Sequence, residues 1–152
     1  MATVPSSLAE HPFCDGLQPE YLEFIASCAS EVSFRPGKVI AREGDPADRA
    51  YLILEGRVAL EAFQLQVGPV VIQTIGPGDA LGWSWLVPPY KWHLDARALD
   101  HTKVITLDGQ TLRERCEADP GLGYQILKRV AVVLEQRLQA SRLRLLDAYG
   151  RR

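Results

Sequence analysis

The chain has 152 residues, of which 47% are hydrophobic and 24% charged, and its formal net charge is −2 at pH 7. This size and composition indicate one soluble globular domain, and the charge provides no electrostatic support for nucleic-acid binding. We expect a cytoplasmic protein with reduced thiols, because no apolar run approaches a membrane span, no signal peptide is recognisable, and the three cysteines form no C-x-x-C pair.

The first elements are predicted from prolines and apolar spacing. Residues 1–18 contain Pro and Ser without periodicity and are predicted to be an irregular lead-in. Residues 19–29 begin with a proline, which suits the first turn of a helix, and carry apolar side chains at helical spacing. We therefore predict a helix over residues 19–29, at the start of a single domain that spans residues 19–152.

Short apolar runs separated by turn residues follow over residues 32–108. The runs lie at residues 38–41, 51–54, 57–63, 70–75, 94–98 and 103–107. Gly37, Gly44, Gly56 and Gly78 lie in turns, where a tight reversal or a positive φ favours glycine. Many short strands at near-regular spacing predict a β-sandwich or barrel.

Helical patterns return over residues 110–149. A short helix is predicted over residues 110–117. Asp119 is then suited to cap a second helix, with Pro120 in its first turn. This second helix is predicted to reach about residue 149, where Gly150 would close it.

The long helix carries a narrow apolar seam. Its residues recur with alternating steps of four and three: Leu127, Ala131, Leu134, Leu138, Ser141, Leu145 and Ala148. Such a seam is typical of a helix that pairs with a partner helix, so we predict a homodimer through this surface. The alternative is a core helix within one domain. Ile126, Val130 and Val133 widen the apolar face near the start, as packing on the helix's own domain requires.

Three stretches carry a recognisable pattern. Residues 34–45 read FRPGKVIAREGD, residues 50–60 read AYLILEGRVAL, and residues 75–82 read IGPGDALG. They resemble the cyclic nucleotide-binding domain, the effector half of the catabolite activator and fumarate-nitrate regulator superfamily, and the resemblance extends over about residues 17–149. It implies a mainly β fold, an eight-stranded jelly roll with flanking helices, and a long C-terminal helix that pairs two subunits.

Residues 78–93 contain all three tryptophans and coincide with the ligand-binding loop of that family. In ligand-binding relatives, a glutamate that holds the ribose follows the glycine matching Gly82, and an arginine about ten residues later neutralises the cyclic phosphate. Trp83 holds the glutamate position here, and Trp92 the arginine position. Losing both charged hydrogen bonds costs roughly 3–6 kcal/mol, or about two to four orders of magnitude in affinity. We therefore do not expect cyclic AMP to bind in the usual way, and we predict no other cofactor.

Three roles of the tryptophans remain open at this point. In the first, the tryptophans fill the former nucleotide site and are part of the core. In the second, they line a remodelled pocket for a flat or apolar ligand. In the third, they lie on the surface and dock on a partner protein. Ser141 resembles a base-contacting hydroxyl of the family; the alternative is a small residue at the helix seam. The candidate pocket comprises Leu81, Gly82, Trp83, Ser84, Trp85, Lys91, Trp92, His93 and Ser141.

The sequence has no motif that predicts DNA binding, a metal site or an enzyme. The sequence leaves no room for a helix-turn-helix after the long helix, so we expect no direct DNA binding by this chain. The basic residues of the tail are typical of a solvated helix face: Arg137, Arg142, Arg144, Arg151 and Arg152. The three histidines are scattered and no nucleophile, base and acid have a recognisable spacing, so neither a metal site nor an enzyme is predicted.

The sequence leads to two hypotheses of function. The first is a stand-alone, dimeric sensor or regulatory module, in which occupancy of a pocket beneath residues 81–93 shifts the long helix. The alternative is a ligand-free protein-interaction subunit that docks through the Trp- and Pro-containing loop over residues 82–93.

Overall fold

Two four-stranded antiparallel sheets form the centre of the fold. The computed structural model describes residues 4–150. Its strands are β1 (Ala29–Phe34), β2 (Val39–Ala41), β3 (Arg49–Glu55), β4 (Val58–Gln64), β5 (Gly68–Ile75), β6 (Ala80–Leu81), β7 (Asp95–Ala98) and β8 (Thr102–Asp108). One sheet has the order β1-β8-β3-β6 and the other β2-β7-β4-β5. The predicted mainly β fold with eight strands is confirmed.

Helices flank the sheets at both ends of the chain. The helices are α1 (Ser6–Ala9), a 3₁₀ turn (Pro12–Cys14), α2 (Pro19–Ser27), α3 (Gly109–Ala118) and α4 (Pro120–Gly150). The two predicted C-terminal helices are confirmed. Asp119 caps α4 as expected, because its Oδ1 accepts hydrogen bonds from the amides of Gly121 at 3.1 Å and Leu122 at 3.3 Å.

The prediction of an irregular lead-in over residues 1–18 is wrong for its central part. Within it α1 and the 3₁₀ turn are helical, and Leu8, His11 and Cys14 are buried. His11 caps the 3₁₀ turn, since its Nδ1 accepts from the amide of Phe13 at 3.1 Å. Helical segments of three or four residues are too short to produce a periodic pattern, and their burial depends on the rest of the fold.

Two strands of the structure, β1 and β6, were not predicted from the sequence. β1 follows α2 directly and pairs with β8 along its whole length, from Ala29 opposite Leu107 to Phe34 opposite Thr102. The predicted helix over residues 19–29 therefore ends two residues early, at Ser27. Most of β1 is exposed, so it lacks the apolar alternation of a half-buried strand. β6 has only two residues, which is too short for any pattern.

β3 separates the two hydrophobic clusters of the core. Its side chains alternate, as a strand requires: Tyr51 and Ile53 pack between the two sheets, whereas Ala50 and Leu52 face the helices. Because both faces are covered, the strand is a continuous apolar run. Ile126, Val130 and Val133 of α4 belong to the helix-side cluster, which confirms that the start of α4 packs on its own domain.

The four turn glycines all have positive φ, as expected. The requirement is strictest at Gly56, where φ is +90° and a Cβ would lie 2.5 Å from the carbonyl oxygen of His101. Only a glycine allows β3 and β4 to reverse at this close approach.

Candidate ligand-binding cavity

The loop that follows β6 is shaped by Gly82. This residue has φ +93°, and a Cβ built on it would lie 2.9 Å from Cη2 of Trp92 and 3.3 Å from the carbonyl oxygen of Arg49. The backbone of Trp92 is fixed separately, because its amide donates to Asp45 at 2.9 Å and its carbonyl accepts from Gly44 at 2.8 Å. Trp92 is thereby held between the β2–β3 connection and the glycine that opens the loop.

The three tryptophans have different environments. Trp85 is 1% exposed and belongs to the helix-side core, where its Nε1 donates to the carbonyl of Gly82 at 3.2 Å. Trp83 is half-buried and stacks on His93, with ring centroids 5.2 Å apart and planes inclined by 20°. Trp92 is half-buried and lies beside Tyr51, with centroids 6.3 Å apart. Two of the three tryptophans are therefore available to a cavity, and one is core.

A cavity of about 140 Å³ lies between this loop, the β4–β5 hairpin and α4. Its lining consists of Leu60, Ile72, Gln73, Leu81, Gly82, Trp83, Ser84, Trp92, His93, Leu94, Leu134, Arg137 and Ser141. Seven of the nine predicted pocket residues are among them. The two that are not are Trp85, which is buried in the core, and Lys91, which is exposed and forms an isolated bridge to Pro46. The prediction that Trp85 and Lys91 line the pocket is wrong for this cavity.

A bulge in β5 adds two residues that sequence reasoning missed. Pairing shifts between Leu60 opposite Gln73 and Glu61 opposite Val71, which leaves Ile72 as the extra residue. Ile72 and Gln73 both line the cavity, although neighbours in a regular strand face opposite sides. No local sequence signal marks this bulge.

Arg137 is the second feature that the sequence did not indicate. Its guanidinium, expected on a solvated helix face, is half-buried in the cavity wall, and Nη2 donates to the carbonyl of Ala80 at 2.6 Å. Desolvation by burial lowers the pKa of Arg137, while the nearby charge of Asp79 acts in the opposite direction. Arg142 and Arg144 are exposed as expected, and Arg151 and Arg152 lie outside the described residues.

A family model for the cyclic nucleotide-binding domain matches residues 31–119, which is more than half of the chain. The chain belongs to the cyclic nucleotide-binding domain family. A crystal structure from Geobacter metallireducens GS-15, named as a cyclic nucleotide-binding protein, is 34% identical to this domain with a TM-score of 0.81. That match covers 90% of this chain and 98% of the other.

Two curated relatives are regulators. The CRP-like cAMP-activated global transcriptional regulator of Mycobacterium tuberculosis is 24% identical over 140 residues, covering 92% of this chain and 61% of its own. The cAMP-dependent protein kinase regulatory subunit of Dictyostelium discoideum is 30% identical over 95 residues, covering 60% of this chain and 29% of its own. The chain thus spans less than two thirds of the length of either, and it shares with them the fold of a regulatory cyclic nucleotide-binding module.

This cyclic nucleotide-binding domain has a second, larger cavity. Its volume is about 440 Å³, and it lies between the 3₁₀ turn, the turn at Gly78 and the first half of α4. Its cationic residues are Lys128 and Arg129, and Arg129 donates through Nη2 to the carbonyl of Asp15. None of the predicted pocket residues lines it.

The described part of the chain, residues 4–150, contains neither a metal-binding cluster nor a helix suited to span a membrane. In this range no group of three or more His, Cys, Asp and Glu side chains is placed to hold a metal ion. None of the helices in the same range combines the length and apolar character that crossing a membrane demands.

Proposed function

We propose that this chain is a ligand-responsive regulatory module that acts through α4 and works as a homodimer. The observation that carries the proposal is that Leu134, Arg137 and Ser141 of α4 form part of the wall of the 140 Å³ cavity. A ligand that contacts α4 in one position of the helix, and not in another, increases the fraction of molecules in which the helix has the first position. The output is a changed interaction of the module with a partner chain.

The exposure of the seam residues in the single chain supports pairing of two copies through α4. The seam leucines Leu127, Leu134, Leu138 and Leu145 are 54%, 36%, 67% and 59% exposed in the single chain, and Ala131 and Ser141 are exposed as well. A row of leucines at heptad spacing is costly to leave in water and suits a helix–helix interface. Leu134 and Ser141 belong to both the seam and the cavity wall, so we expect occupancy of the cavity and pairing of the helices to influence each other.

Cyclic AMP is not the ligand that this cavity favours. An engineered cavity of about 150 Å³ is known to accommodate benzene, which is far smaller than a nucleotide. The ring of Trp92 takes the space beside Gly82, and Trp83 lines the same cavity. The two tryptophans stand at the positions where the family resemblance places charged groups. We expect no change in melting temperature or tryptophan fluorescence with millimolar cyclic AMP or cyclic GMP. A ligand at about one hundred times its Kd would add about 2.7 kcal/mol of stability, so a clear rise in melting temperature would refute this expectation.

The alternative role as a docking loop has less support. The exposed residues of the loop over residues 82–93 are Pro88, Pro89, Lys91 and His93, whereas the tryptophans that would anchor a partner are half-buried or buried. Binding hot spots depend on large side chains that reach a partner's pocket. The burial of the tryptophans therefore favours the cavity over the docking surface.

The regulatory proposal can be tested without knowing the ligand. Ile72→Phe adds a ring inside the cavity and mimics an occupant, while Thr74→Phe adds the same ring to an exposed position of β5. We expect the first variant, and not the second, to change hydrogen exchange over residues 134–145 and the dimer dissociation constant measured by ultracentrifugation. If Ile72→Phe behaves as the wild type in both measurements, the cavity is not coupled to α4.

A further inference from the structure

The guanidinium of Arg137 lies at the cavity, and within residues 4–150 it forms no ion pair with an acidic side chain, although the charge of Asp79 is nearby. Its single hydrogen bond within residues 4–150 joins Nη2 to the carbonyl oxygen of Ala80, 2.6 Å away, and no ion pair in that range includes it. A guanidinium carries five N–H donors in a planar fork, so most of its donor capacity is unused by the protein. No Asp or Glu is among the residues that line the cavity.

The partial burial of this guanidinium affects what it can bind. Desolvation lowers the pKa of Arg137, which means that the surroundings disfavour its charged form, and Asp79 offsets this only in part. A partly buried charge is stabilised when an opposite charge pairs with it and accepts its hydrogen bonds. An anion in the cavity would therefore pair with the donors of Arg137 that the protein does not use, and would stabilise its charge.

The remaining walls are suited to a flat apolar body. Trp83 and His93 form a stacked pair at one side, Trp92 lies against Gly82, and Leu60 and Leu94 complete the apolar surface. Aromatic walls favour offset or edge-to-face contacts with another ring. At about 140 Å³ the space matches a single ring with one small substituent, since a similar volume accommodates benzene.

We infer that the cavity binds a small planar aromatic carboxylate, whose carboxylate pairs with Arg137 and whose ring packs among Trp83, Trp92 and Leu94. A carboxylate matches the fork of a guanidinium in a planar, bidentate pair. A phosphate can do the same but is bulkier, so a cavity of about 140 Å³ that also holds a ring favours the carboxylate. This inference rests on the proposed function of the same cavity and names the chemical class of its ligand.

The experiment compares benzoate with benzamide, which has nearly the same shape and no charge. Binding is measured by calorimetry and by tryptophan fluorescence on the wild-type chain. We expect benzoate to bind with millimolar or tighter affinity, and about ten- to hundred-fold more tightly than benzamide, because a hydrogen-bonded charge pair is lost in the amide. Equal affinity for the two probes, or no binding of benzoate, would overturn the inference. Tighter binding of phenyl phosphate than of benzoate would overturn the choice of carboxylate.

Substitutions of two arginines on α4 test whether Arg137 is the residue that pairs with the carboxylate. Arg137→Met should weaken benzoate binding about ten- to hundred-fold, whereas Arg142→Met removes the same charge from an exposed position and should leave it unchanged. Arg137→Lys keeps the charge without the fork and should give an intermediate loss. Circular dichroism checks that each variant is folded. Equal binding by the wild type and Arg137→Met contradicts the inference, while the exchange response of Ile72→Phe tests the proposed regulation separately.

Discussion

The ring of Trp92 lies directly against Gly82, so close that a Cβ on the glycine would be 2.9 Å from Cη2 of the tryptophan. Trp92 stands at the position where the family resemblance places the phosphate-binding arginine, and Gly82 opens the loop. The contact therefore joins the two ends of the loop over residues 82–93, and both residues line the 140 Å³ cavity. This contact supports our proposal that the ligand is smaller than a nucleotide.

Gly82→Ala should destabilise the domain through both backbone strain and this contact. A non-glycine residue at a strained positive φ costs about 1–3 kcal/mol. Gly37→Ala is the matched control, since Gly37 has φ +87° and no atom within 4 Å of an added Cβ. We expect Gly82→Ala to lose at least about 1 kcal/mol more than Gly37→Ala, because Trp92 must move. Urea unfolding measures both losses, and equal values would mean that the contact with Trp92 is relieved without cost.

Of the tryptophans, Trp85 should contribute most to the stability of the folded domain. It is 1% exposed, its Nε1 donates to Gly82, and its carbonyl accepts from Nη1 of Arg113 at 2.7 Å. Trp85→Ala should cost about 3–5 kcal/mol, the usual range for removing a large buried aromatic side chain. Trp83→Ala, at a half-buried position, should cost less. Thermal melts compare the two variants, and a larger loss in Trp83→Ala would contradict this assignment.

The acid stability of the domain should depend on Glu61. Two hydrogen bonds from Arg97, of 3.0 Å and 2.7 Å, lower the pKa of the buried Glu61, against the opposing effect of burial. A carboxyl whose pKa is depressed by folding contributes stability above its unfolded pKa of about 4.3, and that contribution is lost as the pH falls through the lower folded value.

Glu61→Gln should therefore lose about 1–3 kcal/mol at pH 7, and the difference from the wild type should shrink at acid pH. The measurement is urea unfolding as a function of pH. Glu31→Gln serves as the control, because Glu31 forms only an exposed pair with Lys103 at 3.5 Å and should change stability little. A difference between wild type and Glu61→Gln that stays constant down to pH 3 would rule out the linkage.

The three thiols should react slowly in the native state. Burial raises the pKa of Cys14, Cys28 and Cys116 to about 11 in each case. Since the thiolate is the reactive form, labelling by a disulfide reagent at neutral pH should be slow until urea unfolds the chain. Mass spectrometry identifies the labelled cysteine. Fast native labelling of Cys14 would show that the segment before α2 is not packed on the core.

The oligomeric state should depend on the seam of α4. Leu138 and Leu143 are 67% and 66% exposed, yet only Leu138 lies on the seam. A buried charge at a helix–helix seam is strongly unfavourable, so Leu138→Glu should give monomers while Leu143→Glu remains dimeric. Ultracentrifugation measures the mass of each variant. A monomeric wild type, or dissociation by Leu143→Glu alone, would contradict pairing through this surface.

Local patterns were sufficient for much of the fold. Prolines, caps and apolar periodicity located α3, α4 and six of the strands, because these features act within a few residues along the chain. β1, β6 and the helical turns at Ser6–Ala9 and Pro12–Cys14 were missed, since they are short or held by contacts with distant segments. Residues 81–84 and 92–94, toward the two ends of the loop beneath which a pocket was predicted, line the 140 Å³ cavity, and the binding of a ligand there stays a prediction.

The sequence by itself determined most of the elements, the family, and the tryptophans that stand where the family resemblance places charged residues. Only the tertiary structure decided where each side chain of the loop and of α4 points. Trp83 and Trp85 are two residues apart, yet one faces the cavity and the other is core. Arg137 reaches the cavity because α4 packs beside β6, where the carbonyl of Ala80 accepts its hydrogen bond. Such positions result from packing between segments far apart in the chain, which no local pattern encodes.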